Sequence, residues 1–133
     1  MTAEAPAVCE LTKESFARSI DGHSFAVVDF WAPWCGPCRA FAAVFAAAAT
    51  RYPDILFAKI NTEEEQELAA YFHIRSIPTL MIFRDNIIVF AQPGALSAAS
   101  LDEVLAAAKA LDMDAVRRDA QAEQSAQQSQ PAT

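Results

Sequence analysis

The sequence predicts an α/β domain, a central mixed β-sheet with helices on both faces. Three observations carry that expectation. Phe25 to Phe30 is a nearly continuous apolar run, the pattern of a strand covered on both sides rather than on one. Ile55 to Ile60, a helical stretch from about Glu63 to Phe72 and a further strand at Thr79 form the strand-helix-strand unit that builds parallel sheets. Thr79–Phe83 and Ile87–Phe90 then flank Arg84-Asp85-Asn86 as an antiparallel hairpin. At 133 residues and 53% hydrophobic content, the chain is long enough to bury one such core and too short for two.

In chain order, residues 1–7 show no periodicity and are expected to fray. Val8 to Leu11 adds a short edge strand. Thr12 is placed to cap a helix through about Ile20, with Phe16 and Ile20 on one face and Asp21-Gly22 ending it. After the Phe25–Phe30 strand, a helix begins near Cys35 and runs toward Arg51, with Phe41, Val44, Phe45 and Ala48 at helical spacing before Pro53. The last helix begins at Ser97 or at Ser100, whose spacing to Glu103 makes a capping box, and buries Leu101, Val104, Leu105, Ala108 and Leu111. The domain is thus expected over residues 8–111. Residues 112–133 turn to Asp, Arg, Ala, Gln and Ser, an extension that continues the helix to about Ala120 and then becomes disordered.

The chemistry is concentrated in Trp31-Ala32-Pro33-Trp34-Cys35-Gly36-Pro37-Cys38-Arg39, where a strand gives way to a helix. Two cysteines so placed read as a dithiol/disulfide redox pair. A thiolate is the attacking species, and a cysteine of ordinary pKa is only about 3% ionised at pH 7. At the first turn of a helix, unpaired N–H groups and the positive end of the macrodipole favour the Cys35 thiolate. That effect is about 0.3–1 kcal/mol, less than one pKa unit, so a second donor is needed. The Cys38 thiol, one turn on, is the candidate, and the pair can then close as a disulfide. Asp29 lies inside the apolar strand, where an ionised acid is costly, so it is expected to hold a proton near neutral pH and to serve as the base that Cys38 needs.

The segment Asp29 to Cys38 resembles the active site of the thioredoxin family. Ala58-Lys59-Ile60-Asn61, Ile74-Arg75-Ser76-Ile77-Pro78-Thr79-Leu80 and Pro93-Gly94-Ala95-Leu96-Ser97 fall in the family's order and spacing, so the likeness spans about residues 8–110. The resemblance implies the thioredoxin fold and a protein-disulfide reductase in which Cys35 attacks and Cys38 resolves. It also implies a buried acid at Asp29 with Lys59 as its electrostatic partner, and a cis peptide bond before Pro78. A substrate surface is expected from Trp34, Gly36, Pro37, Pro78 and Gly94, with the backbone of Ile77 pairing an extended substrate segment. Electrons would come from a thioredoxin reductase, since no small-molecule cofactor motif is visible.

Composition narrows the partners. A net charge of −7 argues against nucleic acid, so disulfide-containing proteins are the expected substrates. No apolar run is long enough to span a bilayer, and the N-terminal stretch has an acid where a signal peptide carries basic residues, so a soluble cytoplasmic protein is expected, with a monomer as the default. Three cysteines is an odd count, with Cys9 a bystander able to cross-link chains in air. Competing readings are half a zinc site, opposed by the scatter of Cys9, His23 and His73, a turn role for Asp29, and a strand-edge role for Lys59. The clustered Glu63, Glu64, Glu65 and Glu67 read as a solvated helix start. At the level of function, the alternatives are a thiol oxidase or isomerase and a redox-independent adaptor. Departures from the family pattern are Ala43, which lacks a kinking proline, Pro93 at the substrate rim, and Asn86 and His73, which must adopt positive φ where glycine is common.

Overall fold

The computed structural model describes residues 7–129. Residues 1–6 and 130–133, with most of the expected frayed N-terminus, lie outside that range. Strands β1 (Val8–Glu10), β2 (Phe25–Trp31), β3 (Leu56–Asn61), β4 (Thr79–Arg84) and β5 (Ile87–Pro93) form one sheet in the order β1-β3-β2-β4-β5. β3 pairs in parallel with β1 and β2, whereas β4 runs antiparallel to β2 and β5. Helices α1 (Lys13–Asp21), α2 (Gly36–Arg51), α3 (Gln66–Tyr71) and α4 (Ala98–Lys109) cover the sheet, and α5 (Met113–Ser129) follows.

The unbroken apolar run in β2 serves two cores. Phe25 and Val27 pack with Phe41, Phe45, Leu101 and Leu105 beneath α2 and α4. Ala26, Val28 and Phe30 pack with Ile20 and Leu68 beneath α1 and α3, where Phe16 and Phe72 add tilted ring contacts. Successive strand residues face opposite sides of the sheet, so Asp29 and Trp31 continue the Phe25–Val27 series toward α2. Lys59 follows the same rule on β3, where Phe57 faces the α2 core while Ala58 and Ile60 face the other. Strand periodicity alone therefore gathers Asp29, Lys59 and the start of α2 on one side.

Local chemistry sets the ends of the elements. Thr12 caps α1, accepting from the Ser15 amide in a reciprocal capping box. Of the two possible starts for the last helix, Ser97 is the cap, its hydroxyl accepting from the Ser100 amide at 3.1 Å. Asp85 and Asn86 both have positive φ, 51° and 68°, the conformation that closes a two-residue hairpin without glycine. His73 has φ 55°, as its position after α3 requires.

Two elements differ from expectation. α3 starts at Gln66, not near Glu63, because buried Asn61 holds the preceding residues in a turn, its Oδ1 accepting from the Glu63 amide at 2.9 Å. The last helix does not continue to Ala120. α4 stops at Lys109, and Arg84 Nη1 closes its end by donating to the carbonyls of Ala108 and Lys109 at 2.7 and 3.2 Å. Asp112 then starts α5, accepting from the amides of Asp114 and Ala115 at 3.0 and 3.3 Å. Buried Met113 and an Arg117–Asp85 ion pair at 2.7 Å hold the first turns of α5 on the domain. Among the described residues, no helix is long and apolar enough to cross a membrane.

Candidate redox site

Cys35 is the N-cap residue of α2, with extended backbone at φ −87° and ψ 114° and Gly36 and Pro37 opening the helix behind it. This places its sulfur where side-chain oxygens usually sit at a helix start, and Sγ accepts from the Cys38 amide at 3.2 Å. Proline fits here because the first helical N–H groups lack intrahelical acceptors. Cys35 and Cys38 are joined as a disulfide, with Cα atoms 5.2 Å apart. Cys35 is 5% exposed and Cys38 only 1%, so an incoming group meets Cys35 first. Ala32, Trp31 and Ile77 pack around both.

On the other side of the sulfur lies the loop that enters β4. The Ile77–Pro78 peptide bond is cis, and the Ile77 carbonyl oxygen is 3.7 Å from Cys35 Sγ. The Gly94 amide donates to the Pro78 carbonyl at 2.8 Å, which ties the end of β5 to this loop. Gly94 has φ 108°, a conformation that other residues rarely adopt. Trp34, Gly36, Pro37 and Gly94 are exposed, whereas Ile77 is half-buried and Pro78 buried. Trp34 is 65% exposed, a large apolar ring facing solvent beside a nearly buried sulfur.

Asp29 is 2% exposed, and its Oδ1 is shielded without a hydrogen-bond partner. Burial pushes its carboxyl up to about 7, and the positive charge of Lys59 works against that shift. Lys59 is the direct register partner of Asp29 across β2 and β3. Its ammonium also lies 4.9 Å from the centre of the Trp31 ring, a cation–π contact that orients the chain. The predicted site residues Cys35, Cys38, Asp29, Lys59, Trp34, Gly36, Pro37, Ile77, Pro78 and Gly94 come from four stretches of chain, with the cysteines packed on Trp31, Ala32 and Ile77, and Asp29 set against Lys59, which lies over Trp31.

One residue that touches the site escapes the sequence reading. Glu63 Oε1 accepts from the Trp34 indole N–H, so the exposed ring is tethered from the turn that follows β3. Its acidic neighbours are engaged too. Asn61 donates to Glu64, the Lys13 amide to Glu65, and the Lys13 ammonium pairs with Glu67 at 2.6 Å. An acidic run of this kind reads only as a solvated helix start, because the contacts of Glu63, Glu65 and Glu67 are with residues far away in sequence. Cys9 sits half-buried on β1, its thiol pushed up by burial and therefore a poor thiolate. Among the described residues, no group of three or more His, Cys, Asp or Glu converges to hold a metal ion.

Comparison with known proteins agrees with this geometry. The family model described as Thioredoxin matches residues 7–107. A putative thioredoxin 2 of Streptomyces coelicolor is 53% identical over 118 residues, covering 89% of this chain and 87% of that protein. A thioredoxin of Porphyra purpurea is 43% identical over 100 residues, covering 74% and 94%. Among solved structures, thioredoxin f from spinach chloroplast superposes with TM-score 0.73 at 32% identity, covering 83% of this chain and all of that one. Mitochondrial thioredoxin 3 from Saccharomyces cerevisiae gives TM-score 0.69 at 26% identity, covering 74% and 93%.

Proposed function

The chain belongs to the thioredoxin family and is a thiol–disulfide reductase, and from that premise we propose how its own residues divide the reaction. The Cys35 thiolate attacks one sulfur of a substrate disulfide, forming a mixed disulfide and releasing the other substrate sulfur as a thiolate. Cys38 then attacks Cys35 Sγ, which breaks the mixed disulfide, releases the second substrate thiolate and leaves Cys35–Cys38 oxidised. Two electrons pass to the substrate. The observation that carries this reading is Cys35 at the N-cap, its sulfur hydrogen-bonded by the Cys38 amide and within bonding reach of the Cys38 sulfur.

Cys38 must lose a proton although it is 1% exposed, and burial opposes that loss. Asp29 takes the proton. A carboxyl raised to about 7 is balanced between its two forms near neutral pH, which is what a general base needs there. Lys59 is a positioning residue that limits how far burial raises Asp29. Trp34, Gly36, Pro37 and Gly94 receive an extended segment of the substrate protein, with the Ile77 backbone beside Cys35 pairing with it and Pro78 shaping the turn. Such a surface takes many protein disulfides. The oxidised pair is returned to the dithiol by a reductase of thioredoxins, and a reducing compartment such as the cytoplasm suits that cycle.

The test is the pair of single-cysteine variants. Cys35→Ser is expected to abolish reduction of insulin disulfides, and Cys38→Ser to accumulate a mixed disulfide that mass spectrometry detects. Retained turnover in Cys35→Ser, or no trapped adduct with Cys38→Ser, overturns the assignment.

A further inference from the structure

At the opposite end of the sheet from the sulfurs lies a cleft of about 570 Å³ between the end of α2, the last turns of α4 and the start of β2. Phe25 and Trp31 stand at the two ends of β2, so the cleft is about 20 Å from the redox site. Its volume is in the range of small-molecule sites, and Phe25, Tyr52 and Leu105 give it apolar walls. Its charge is unusual for this chain. Arg51, Arg84 and Lys109 line it against a single carboxylate, Asp54, whereas the whole protein carries −7.

Among the described residues, Arg84 and Lys109 have no carboxylate partner, whereas Arg51 is shared with Asp102 just outside the cleft. Asp102 accepts from both Arg51 and the Tyr52 hydroxyl, at 2.8 and 2.9 Å, and is held below its usual carboxylate range by them, outside the lining of the cleft. The carbonyl end of α4, which would repel an anion, is covered by Arg84. Arg84 meets carbonyl oxygens there and no carboxylate. Its guanidinium carbon lies 5.1 Å from the centre of the Phe25 ring, and its Nε is shielded from solvent without a partner. Its carbonyl partners carry no net charge, so the guanidinium keeps its full positive charge and an anion brought near it is attracted. Lys109, exposed on the last turn of α4, also lines the cleft.

We propose that this cleft binds a small organic anion, a phosphate or carboxylate joined to an aromatic body. The apolar walls hold the body, and Arg84 and Lys109 select the charge, with Arg51 already balanced by Asp102. The site is separate from thiol exchange and does not depend on how that reaction is divided.

Titrating the full chain with naphthyl phosphate while recording amide chemical shifts tests it. Saturating shifts are expected at Phe25, Tyr52, Leu105 and Ala106. Neutral naphthol and inorganic phosphate alone should each bind at least about tenfold more weakly, since each offers only half of the recognition. Naphthoate in place of naphthyl phosphate tells whether the site prefers a carboxylate. Lys109→Glu should weaken binding by about tenfold, and Asp54→Asn, which removes the like charge, should tighten it by about threefold. Insulin reduction should be the same in both variants as in the parent chain. Equal binding of naphthol and naphthyl phosphate, unchanged affinity in both variants, or shifts confined to another surface would each overturn the proposal.

Discussion

Asp29 and Arg84 are charged residues on the adjacent central strands β2 and β4, near opposite ends, and the fold treats them in opposite ways. Asp29 is almost wholly buried with one oxygen unpartnered, and its carboxyl is pushed up to about 7. Arg84 is half-buried, gives hydrogen bonds to two helix-end carbonyls and lies over an aromatic ring. A desolvated charge without partners becomes a group that readily trades its proton. A desolvated charge with partners becomes a clamp. The same sheet therefore carries a raised, proton-holding acid at one end and a helix-anchoring cation at the other.

Replacing Asp29 tests the first half of that contrast and carries the largest expected effect. Its folded pKa of about 7 exceeds the ordinary 3.8, so between those values the folded protein keeps a proton that the unfolded chain has released. Stability therefore falls as pH rises from about 4 to about 7 and is unaffected by this group below that window. Asp29→Asn removes the penalty. In urea unfolding it should match the parent at pH 3.5 and exceed it by up to about 4 kcal/mol at pH 8. The same variant should resolve mixed disulfides about a hundredfold more slowly near pH 7, measured by stopped-flow release of product. An equal gain at both pH values would show that ionisation is not the cause.

Arg84→Met tests the other half. It keeps the apolar contact with Phe25 but leaves the carbonyls of Ala108 and Lys109 without their donor. A loss of about 2–3 kcal/mol in unfolding free energy is expected, with the rate of insulin reduction unchanged. Capping at the opposite end of α4 is a neutral version of the same device, so Ser97→Ala should cost about 1 kcal/mol in the same measurement. The smallest effect belongs to the exposed Arg117–Asp85 pair. Arg117→Ala should change stability by less than about 1 kcal/mol, and less still in high salt, while reducing the protection of α5 amides from hydrogen exchange.

Much of this was legible in the chain. The apolar run of β2, the Thr12 cap and the Cys-Gly-Pro-Cys segment are local signals, and each is realised within a residue or two of where it reads. The boundaries that shifted are those decided by a distant residue. α3 starts late because a buried asparagine on β3 holds the residues before it, and α4 stops early because Arg84 arrives from β4 to close it. The candidate site divides along the same line. The cysteines and the buried acid declare themselves by type and pattern, whereas the role of Glu63 depends on a contact with a tryptophan 29 positions away.

By itself the amino-acid order determined that a strand would run into a helix with a thiol at its first turn, because helix capping and side-chain periodicity act over a few neighbouring residues. It also determined that an acid would be carried into the core, since apolar residues on both sides leave the strand no other burial. Only the tertiary structure decided what that acid and the sulfur would face. The register of β2 against β3 sets Lys59 opposite Asp29, and the packing of the Ile77–Pro78 loop sets a carbonyl beside Cys35. Those juxtapositions join segments far apart in sequence, and long-range register and packing are satisfied by the whole sheet at once rather than by any one stretch of it.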